Sequence, residues 1–458
     1  MSILSLDKEE LFEKTPIPKA VATLAIPTIA ASLVMVLYNL ADTFFVGMLN
    51  DPISSSAVAL AAPVLLAFNA VTNLFGVGCA SMMSRSLGVK DYETVKKTSA
   101  FGIYCGIISG ALFSLIAFLF KTKLLDVLGA DISNSEKTAE YLFWAVICGA
   151  IPSILNVILS NVFRAEGTAL HASIGVMSGC FLNIILDPIF ILPWGLNMGA
   201  AGAGCATFIS NCFACLYFLI ILVLKRGKTY VSVNPKLFVP TKEIVSNVFG
   251  VGIPASVQNL LNVMGMTIIN NLAAKYGNEA VSAIGITHKI SLVPLYFSMG
   301  GGQGVMSLIG YNYAAKNKER FKDTISFSFK VFIIAMFFAG ALFYVFSNNI
   351  VYLFMKNELI VEYGGGFLKG FSLAIPFLSF DFMAVAIYQA CGKGKTSLLF
   401  AIARKVLLEI PAMIILEKIF GMYGMAYGQF VAELILTIVS IFVLQKLIKE
   451  VSDTSQNA

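Results

Sequence analysis

Along the 458-residue chain, long apolar stretches alternate with short polar breaks. An α-helix needs roughly 20 mostly apolar residues to cross a bilayer. Twelve stretches reach that length: 20–48, 54–80, 97–120, 139–163, 169–192, 199–224, 244–273, 279–308, 323–347, 365–390, 396–416 and 422–446. Several exceed the minimum, which leaves room for tilt or an extra turn beyond the lipid. Only 13% of residues are charged and 58% are hydrophobic, whereas soluble domains carry about a quarter charged residues. The expectation is an all-α membrane protein with twelve transmembrane helices. Residues 1–19 contain Asp7, Glu9, Glu10 and Glu13 and no apolar core. A cleavable signal peptide is therefore not expected, and the first span is expected to direct the chain to the membrane.

The polar breaks are sided. Lysines and arginines gather at 8–19, 85–97, Arg164, 225–242, 316–322, 393–395 and 446–449. The alternate breaks hold little beyond Lys121, Lys123, Lys137, Lys275, Lys356 and Lys418. Basic residues mark the cytoplasmic face, so both termini are expected there, in an inner (cell) membrane. An even number of spans follows. The net charge of +6 comes from these loops and is no sign of a nucleic-acid partner. The bilayer itself is the expected partner, and a monomer the expected state.

The longest basic break, 225–243, splits the spans six and six, and the halves read alike. Ile26-Pro27 recurs as Ile253-Pro254, and Lys90-Asp-Tyr-Glu93 as Lys316-Asn-Lys-Glu319. Ile151-Pro152 recurs as Ile375-Pro376, and Phe163-Arg-Ala-Glu-Gly167 as Tyr388-Gln-Ala-Cys-Gly392, all at an offset near 225 residues. Two pseudo-symmetric six-helix bundles are expected. They comprise residues 20–224 and 244–446, with a cytoplasmic segment 1–19, a linker 225–243 and a tail 447–458. Residues 450–458 are polar and read as disordered. Parallel repeats place a substrate path between the halves.

Charge inside the apolar runs is the strongest functional signal, because hydrocarbon makes it costly. Asp42 lies late in the first run and Asp187 late in the fifth, both on the order of 10 Å from the outer turns at 1.5 Å per residue. Pro188 follows Asp187 and removes a backbone donor. Asn183 precedes it by one helical turn, on the same face. With Thr207 these side chains form an oxygen-rich set suited to a proton or to sodium. A magnesium or calcium site needs more oxygens. Placement at a helix end near the interface is the bland alternative for Asp187; its repetition at Asp42 argues against it.

Asp381 lies in the middle of the tenth run, opposite Asn156 in the repeat. Two readings stay open: a counter-charge for a cationic substrate, or a structural partner of Lys289 or Arg404. His288, Lys289, Arg404, Lys405, Glu409 and Glu433 are further charged or titratable groups within the spans. Glu409 and Glu433 need partners or protons. Met35, Met177, Met264, Met266 and Met383 could supply an adaptable apolar surface, with aromatic faces adding cation–π attraction.

Other motifs carry less. Gly392-Lys-Gly-Lys-Thr396 resembles the end of a phosphate-binding loop, but Gln389 stands where glycine is required and no strand precedes it. Gly300-Gly-Gly-Gln303-Gly304 suits close helix approach. Cys212 and Cys215 form a C-x-x-C within a span, where packing is the expected role. No cofactor, nucleotide-driven step or catalytic group is expected. A membrane-embedded lipid enzyme would need polar catalytic groups at an interface loop, and the longest loop is a basic linker.

Tyr38-Asn-Leu-Ala-Asp42-Thr-Phe-Phe-Val-Gly47, Phe163-Arg-Ala-Glu-Gly167, Leu182-Asn-Ile-Ile-Leu-Asp187-Pro-Ile-Phe and Gly199-Ala-Ala-Gly-Ala-Gly-Cys-Ala-Thr207 resemble the multidrug and toxic compound extrusion (MATE) transporters. The likeness covers essentially the whole chain and points to the DinF-like or MepA-like side of the family. It implies two six-helix bundles around a cleft and exchange of lipophilic cations for protons or sodium by alternating access. It also implies an ion site at Asp42, Asn183, Asp187 and Thr207. Substrate contacts are expected at Asp381, Asn39, Gln258, Asn259, Asn262, Met35 and Met264. Some members carry a glutamate eight residues after the proline of span seven. This chain has Asn262 there, which counts against a carboxy-terminal coupling site. A flippase for lipid-linked precursors, from the same superfamily, is the alternative, although such proteins usually carry extra spans and a basic cavity.

Overall fold

The computed structural model describes residues 8–49 and 51–453, and no strand occurs among them. A short helix α1 (Lys8–Glu13) precedes α2 (Ile17–Met48), α3 (Pro52–Gly88) and α4 (Tyr92–Leu119). After the short α5 (Lys121–Leu128) come α6 (Ser135–Leu142), a π-helical turn at Phe143–Cys148, and α7 (Ala150–Ala165). The two arms of that broken span meet at 48°. α8 (Ala169–Ile191) and α9 (Gly199–Leu224) complete the first series. The second series repeats it: α10 (Lys242–Ala274), α11 (Asn278–Ala314), α12 (Lys318–Val345), the short α13 (Ser347–Phe354) and α14 (Glu358–Ala390). It closes with α15 (Gly394–Ile402), a second π-helical segment at Ala403–Glu409, α16 (Ile410–Phe420) and α17 (Gly424–Asp453).

Among the described residues, ten helical runs are long and apolar enough to cross a membrane, and the bent α6–α7 pair adds one more. The last of the ten, Gly394–Val451, contains two of the expected spans. It reverses at Gly421, whose φ of +68° only glycine adopts freely, and α17 then packs against α16. All twelve expected spans are therefore present, in a multi-pass membrane protein.

The helices form two compact units. Ala30–Ser256 make up one, called here the amino-terminal unit; residues through Ile29 belong with Val257 and beyond in the other, the carboxy-terminal unit. α2 and α10 thus divide just after Pro27 and Pro254. The linker lies wholly within the amino-terminal unit and is fastened there. Buried Glu166 accepts from Thr229 Oγ1 at 3.0 Å and Tyr230 N at 2.9 Å. Ser232 N donates to Ser99 Oγ at 3.0 Å, and Tyr104 donates to Val233 O at 2.6 Å. At the start of α3, Asp51 caps Ile53 N and Ser54 N. The Lys137 ammonium and the Ser54 hydroxyl hold its carboxyl well below the usual carboxylate range.

The duplication extends to backbone detail. Lys90 and Lys316 are both left-handed, at φ 60° and 54°. Each precedes a cap: Asp91 accepts from Thr94 N at 3.0 Å, and Asn317 from Arg320 N at 3.2 Å. Gly167 and Gly392 make the same left-handed turn, at φ 86° and 74°. The tail departs from expectation. α17 runs to Asp453, because Leu447 is buried and Glu450 pairs with Lys393 at 2.8 Å. Residues 454–458 lie outside the described part. The eight cysteines are free, and Cys215 Sγ donates to Pro152 O at 3.3 Å.

Small residues set the closest helix approaches. A methyl at Gly179 would meet Ser210 O at 3.1 Å and Ala214 Cβ at 3.2 Å. At Gly204 it would meet Tyr141 O at 3.0 Å, and at Gly202 it would meet Phe190 O at 2.6 Å. The Gly199–Gly204 stretch is what lets α9 lie against α6 and the end of α8. Gly202→Ala should force these backbones apart at a cost of about 1–3 kcal/mol, lowering the melting temperature in detergent. Gly47→Ala, which meets nothing within 4 Å, serves as the control. Equal melting of Gly202→Ala and the parent protein would refute the tight approach.

Candidate functional site

The expected ion-site residues converge in the amino-terminal unit. α8 supplies Asn183 and Asp187, which are 2% and 0% exposed. The Asn183 amide nitrogen, oriented toward the carboxylate, donates to Asp187 Oδ2 at 2.8 Å and Oδ1 at 3.2 Å. Its oxygen accepts from Thr207 N on α9 at 3.1 Å. That last bond fixes which way the amide faces. Thr207 is held in turn from behind: Asn211 Nδ2 donates to Thr207 O at 2.9 Å and to Ser153 Oγ at 3.1 Å. Asn156 donates to Asn211 Oδ1 at 3.0 Å. The residue opposite Asp381 in the repeat is therefore a neutral brace.

α2 brings Asp42, half-buried, close enough to Asp187 for their charges to interact. Tyr38, one turn earlier on the same face, interacts with Thr207 and with both aspartates. Tyr141, at the end of α6, is 5% exposed and faces the two carboxylates as well. Two acids in mutual reach and an amide that leaves their charge uncancelled make a place for one proton or one small cation between them. Tyr38 was within reach of sequence reasoning, through its spacing from Asp42. Tyr141 was not, because the bend after Leu142 places it.

The carboxy-terminal unit holds its charges differently. Arg404, 2% exposed, donates from Nη1 to Asp381 Oδ2 at 2.6 Å and from Nη2 to Asn262 Oδ1 at 2.6 Å. Its guanidinium lies 5.2 Å from the centre of the Phe382 ring. Lys405 pairs with Glu409 at 2.6 Å. Of the two partners considered for Asp381, Arg404 is the one engaged; Lys289 is exposed. A cavity of about 90 Å³ is lined by Asn262, His288, Ser291, Arg404, Lys405 and Glu409, among others. That is room for about three waters, well below the several hundred Å³ that a drug-sized ligand fills.

The remaining expected contacts are spread along two helices. Asn39 on α2 and Met264 on α10 are exposed; Met35, Gln258 and Asn259 are half-exposed. Met266 is exposed and Met177 half-buried, but Met383 is a core residue at 1% exposure, so it supplies no ligand surface. It lies in the stretch 381–390 of α14, which is buried on every face.

A family model described as MatE matches residues 27–189 and again 254–415, once in each half of the repeat. The multidrug export protein MepA of Staphylococcus aureus strain MRSA252 is 34% identical over 455 residues, 97% of each chain. A MATE crystal structure in complex with MaL6 superposes with a TM-score of 0.92 at 26% identity, covering 98% of this chain and 100% of the other. A MOP-superfamily transporter from Pyrococcus furiosus superposes at 0.89, with 26% identity and coverage of 98% and 99%.

The Asn183–Asp187 bond lends itself to a double-mutant cycle. Asn183→Ala, Asp187→Asn and the combined variant should melt non-additively, with a coupling of about 0.5–3 kcal/mol. Additive losses would mean that the amide does not hold the carboxylate.

Proposed function

From the premise that this chain belongs to the MatE family, we propose that it exports amphipathic cations in exchange for protons or sodium, by alternating access. The observation that carries the reading is the Asp42–Asp187 pair, whose negative charge no ion pair cancels among the described residues. Asn183 and Thr207 act as neutral ligands, and Tyr38 and Tyr141 close the site. A cation or proton entering there would relieve the repulsion between the acids, so occupancy and the arrangement of α2 against α8 are linked. The MepA relative is named for multidrug export, which supports the substrate class. Met35, Asn39, Gln258, Asn259 and Met264 are assigned to substrate contacts, since they leave side-chain surface free. Asp381 is assigned to stability through Arg404.

Transport by purified protein in proteoliposomes tests these assignments. Efflux of ethidium should be driven by a pH gradient or a sodium gradient, imposed separately, and Asp42→Asn should lose it while keeping the fold, because an amide is cheaper to bury than a carboxylate. Full gradient-driven efflux by Asp42→Asn would exclude the residue from coupling. In the same assay Asp381→Asn should weaken charged and neutral compounds alike; a selective loss for cations would return Asp381 to the substrate site.

The orientation follows from the sided lysines and arginines, with both termini and the linker cytoplasmic. A cysteine placed at residue 235 should react with an impermeant reagent only after the membrane is opened. Labelling in intact cells would invert the topology.

A further inference from the structure

Among the described residues, the buried charges of the carboxy-terminal unit do not balance. Asp381, Glu409 and Glu433 are three acids, each 5% exposed or less, and Arg404 and Lys405 are the two bases among them. The pairs are made: Arg404 to Asp381, and Lys405 to Glu409, both at 2.6 Å. Glu433, on α17, is left over. It is 0% exposed, and neither carboxyl oxygen has a hydrogen-bond partner. Its nearest counter-charge is Arg404 Nε at 3.8 Å, from a guanidinium already committed to Asp381 and Asn262 on its other nitrogens. A charged carboxylate in that position would be uncompensated, and burying one costs several kcal/mol.

Two groups could restore neutrality, Glu433 itself or His288. The charged groups acting on His288 are Lys405 and Glu409. Glu409 is already matched by Lys405, so an imidazolium would set two cations side by side. Those acting on Glu433 are Arg404, Lys405, Asp381 and Glu409. Of the remaining charged groups on helices packed against α17, Lys369 on α14 is half-buried. Glu417 on α16 is engaged by Tyr276 at 2.9 Å and Lys275 at 3.4 Å, and Lys418 and, on α12, Lys330 are exposed. The local backbone points the same way. Arg404, Lys405 and Glu409 all lie on the π-helical segment 403–409, a distortion that recurs at functional sites.

We propose that the carboxy-terminal unit has a proton-binding site of its own, with Glu433 carrying the proton as a neutral carboxylic acid beside the Arg404–Asp381 pair. Loss of that proton would give Arg404 a second carboxylate to serve, and its Nε, which has no hydrogen-bond partner, lies 3.8 Å from Glu433. The site is therefore a switch for Arg404, separate from the Asp42–Asp187 pair.

Infrared spectroscopy of the full-length protein reads this directly. In an Asp42→Asn, Asp187→Asn background at neutral pH, one carboxylic-acid carbonyl band per chain should remain, and adding Glu433→Gln should abolish it. Glu433→Asp should shift the band, which keeps the assignment testable if the glutamine variant fails to fold. Absence of the band from the background protein would overturn the proposal. So would a band that survives Glu433→Gln and disappears with Asp381→Asn or Glu409→Gln. The readout is protonation, so it stands or falls independently of what the chain transports.

Discussion

Everything distinctive in this molecule depends on how a charge is kept inside a bundle of apolar helices. Removing a carboxylate from water costs more than any single packing contact returns, so each buried acid needs a partner, a proton or an ion. The two units meet this constraint in different ways. In the amino-terminal unit, Asp187 is held by the neutral amide of Asn183, which orients the group and leaves its charge intact. In the carboxy-terminal unit, Asp381 and Glu409 are neutralised by Arg404 and Lys405. A covalently attached cation cannot be exchanged for one from solution. Only the first arrangement leaves its acids with no basic side chain paired to them among the described residues.

That difference rests on a shared scaffold. Helix lengths, the left-handed lysines at 90 and 316 and the glycine turns at 167 and 392 are common to both halves. The departures lie where charge is handled. The amino-terminal half breaks its fourth span with a π turn and a 48° bend, which swings Tyr141 toward the aspartates. The carboxy-terminal half keeps the corresponding α14 continuous and distorts the next span instead, at 403–409. Each π segment adds a residue to a helical turn and rotates the following face. In this way a duplicated frame presents different side chains to its interior.

The spans were readable because membrane helices need little more than length and apolarity, and the acids within them because charge in such runs is conspicuous. Asn183 and Tyr38 were readable from one-turn spacing. Tyr141 was not, since it lies beside a backbone distortion that leaves no mark on an apolar pattern. Asp381 could be narrowed to two readings, and the structure adds that its carboxylate is paired with Arg404. Met383 shows the limit of composition: a methionine in a suitable span is as easily core as ligand surface. Residues 450–453 departed from expectation for a different reason. Polar sequence is compatible with helix when a flanking residue such as Leu447 is buried and an ion pair anchors the end.

The asymmetry also bears on why Asn262 and Arg404 occur together. A carboxylate at position 262 would give Arg404 a further acid in contact, since its Nη2 already donates to the Asn262 oxygen at 2.6 Å. The cluster would then hold four acids against two bases and would have to bind two protons or admit a cation. With asparagine there, the excess is a single negative charge, which one proton on Glu433 removes. Neutral Asn262 and cationic Arg404 are thus parts of one electrostatic solution. That balance sets the cluster apart from Asp42 and Asp187, which no ion pair matches among the described residues.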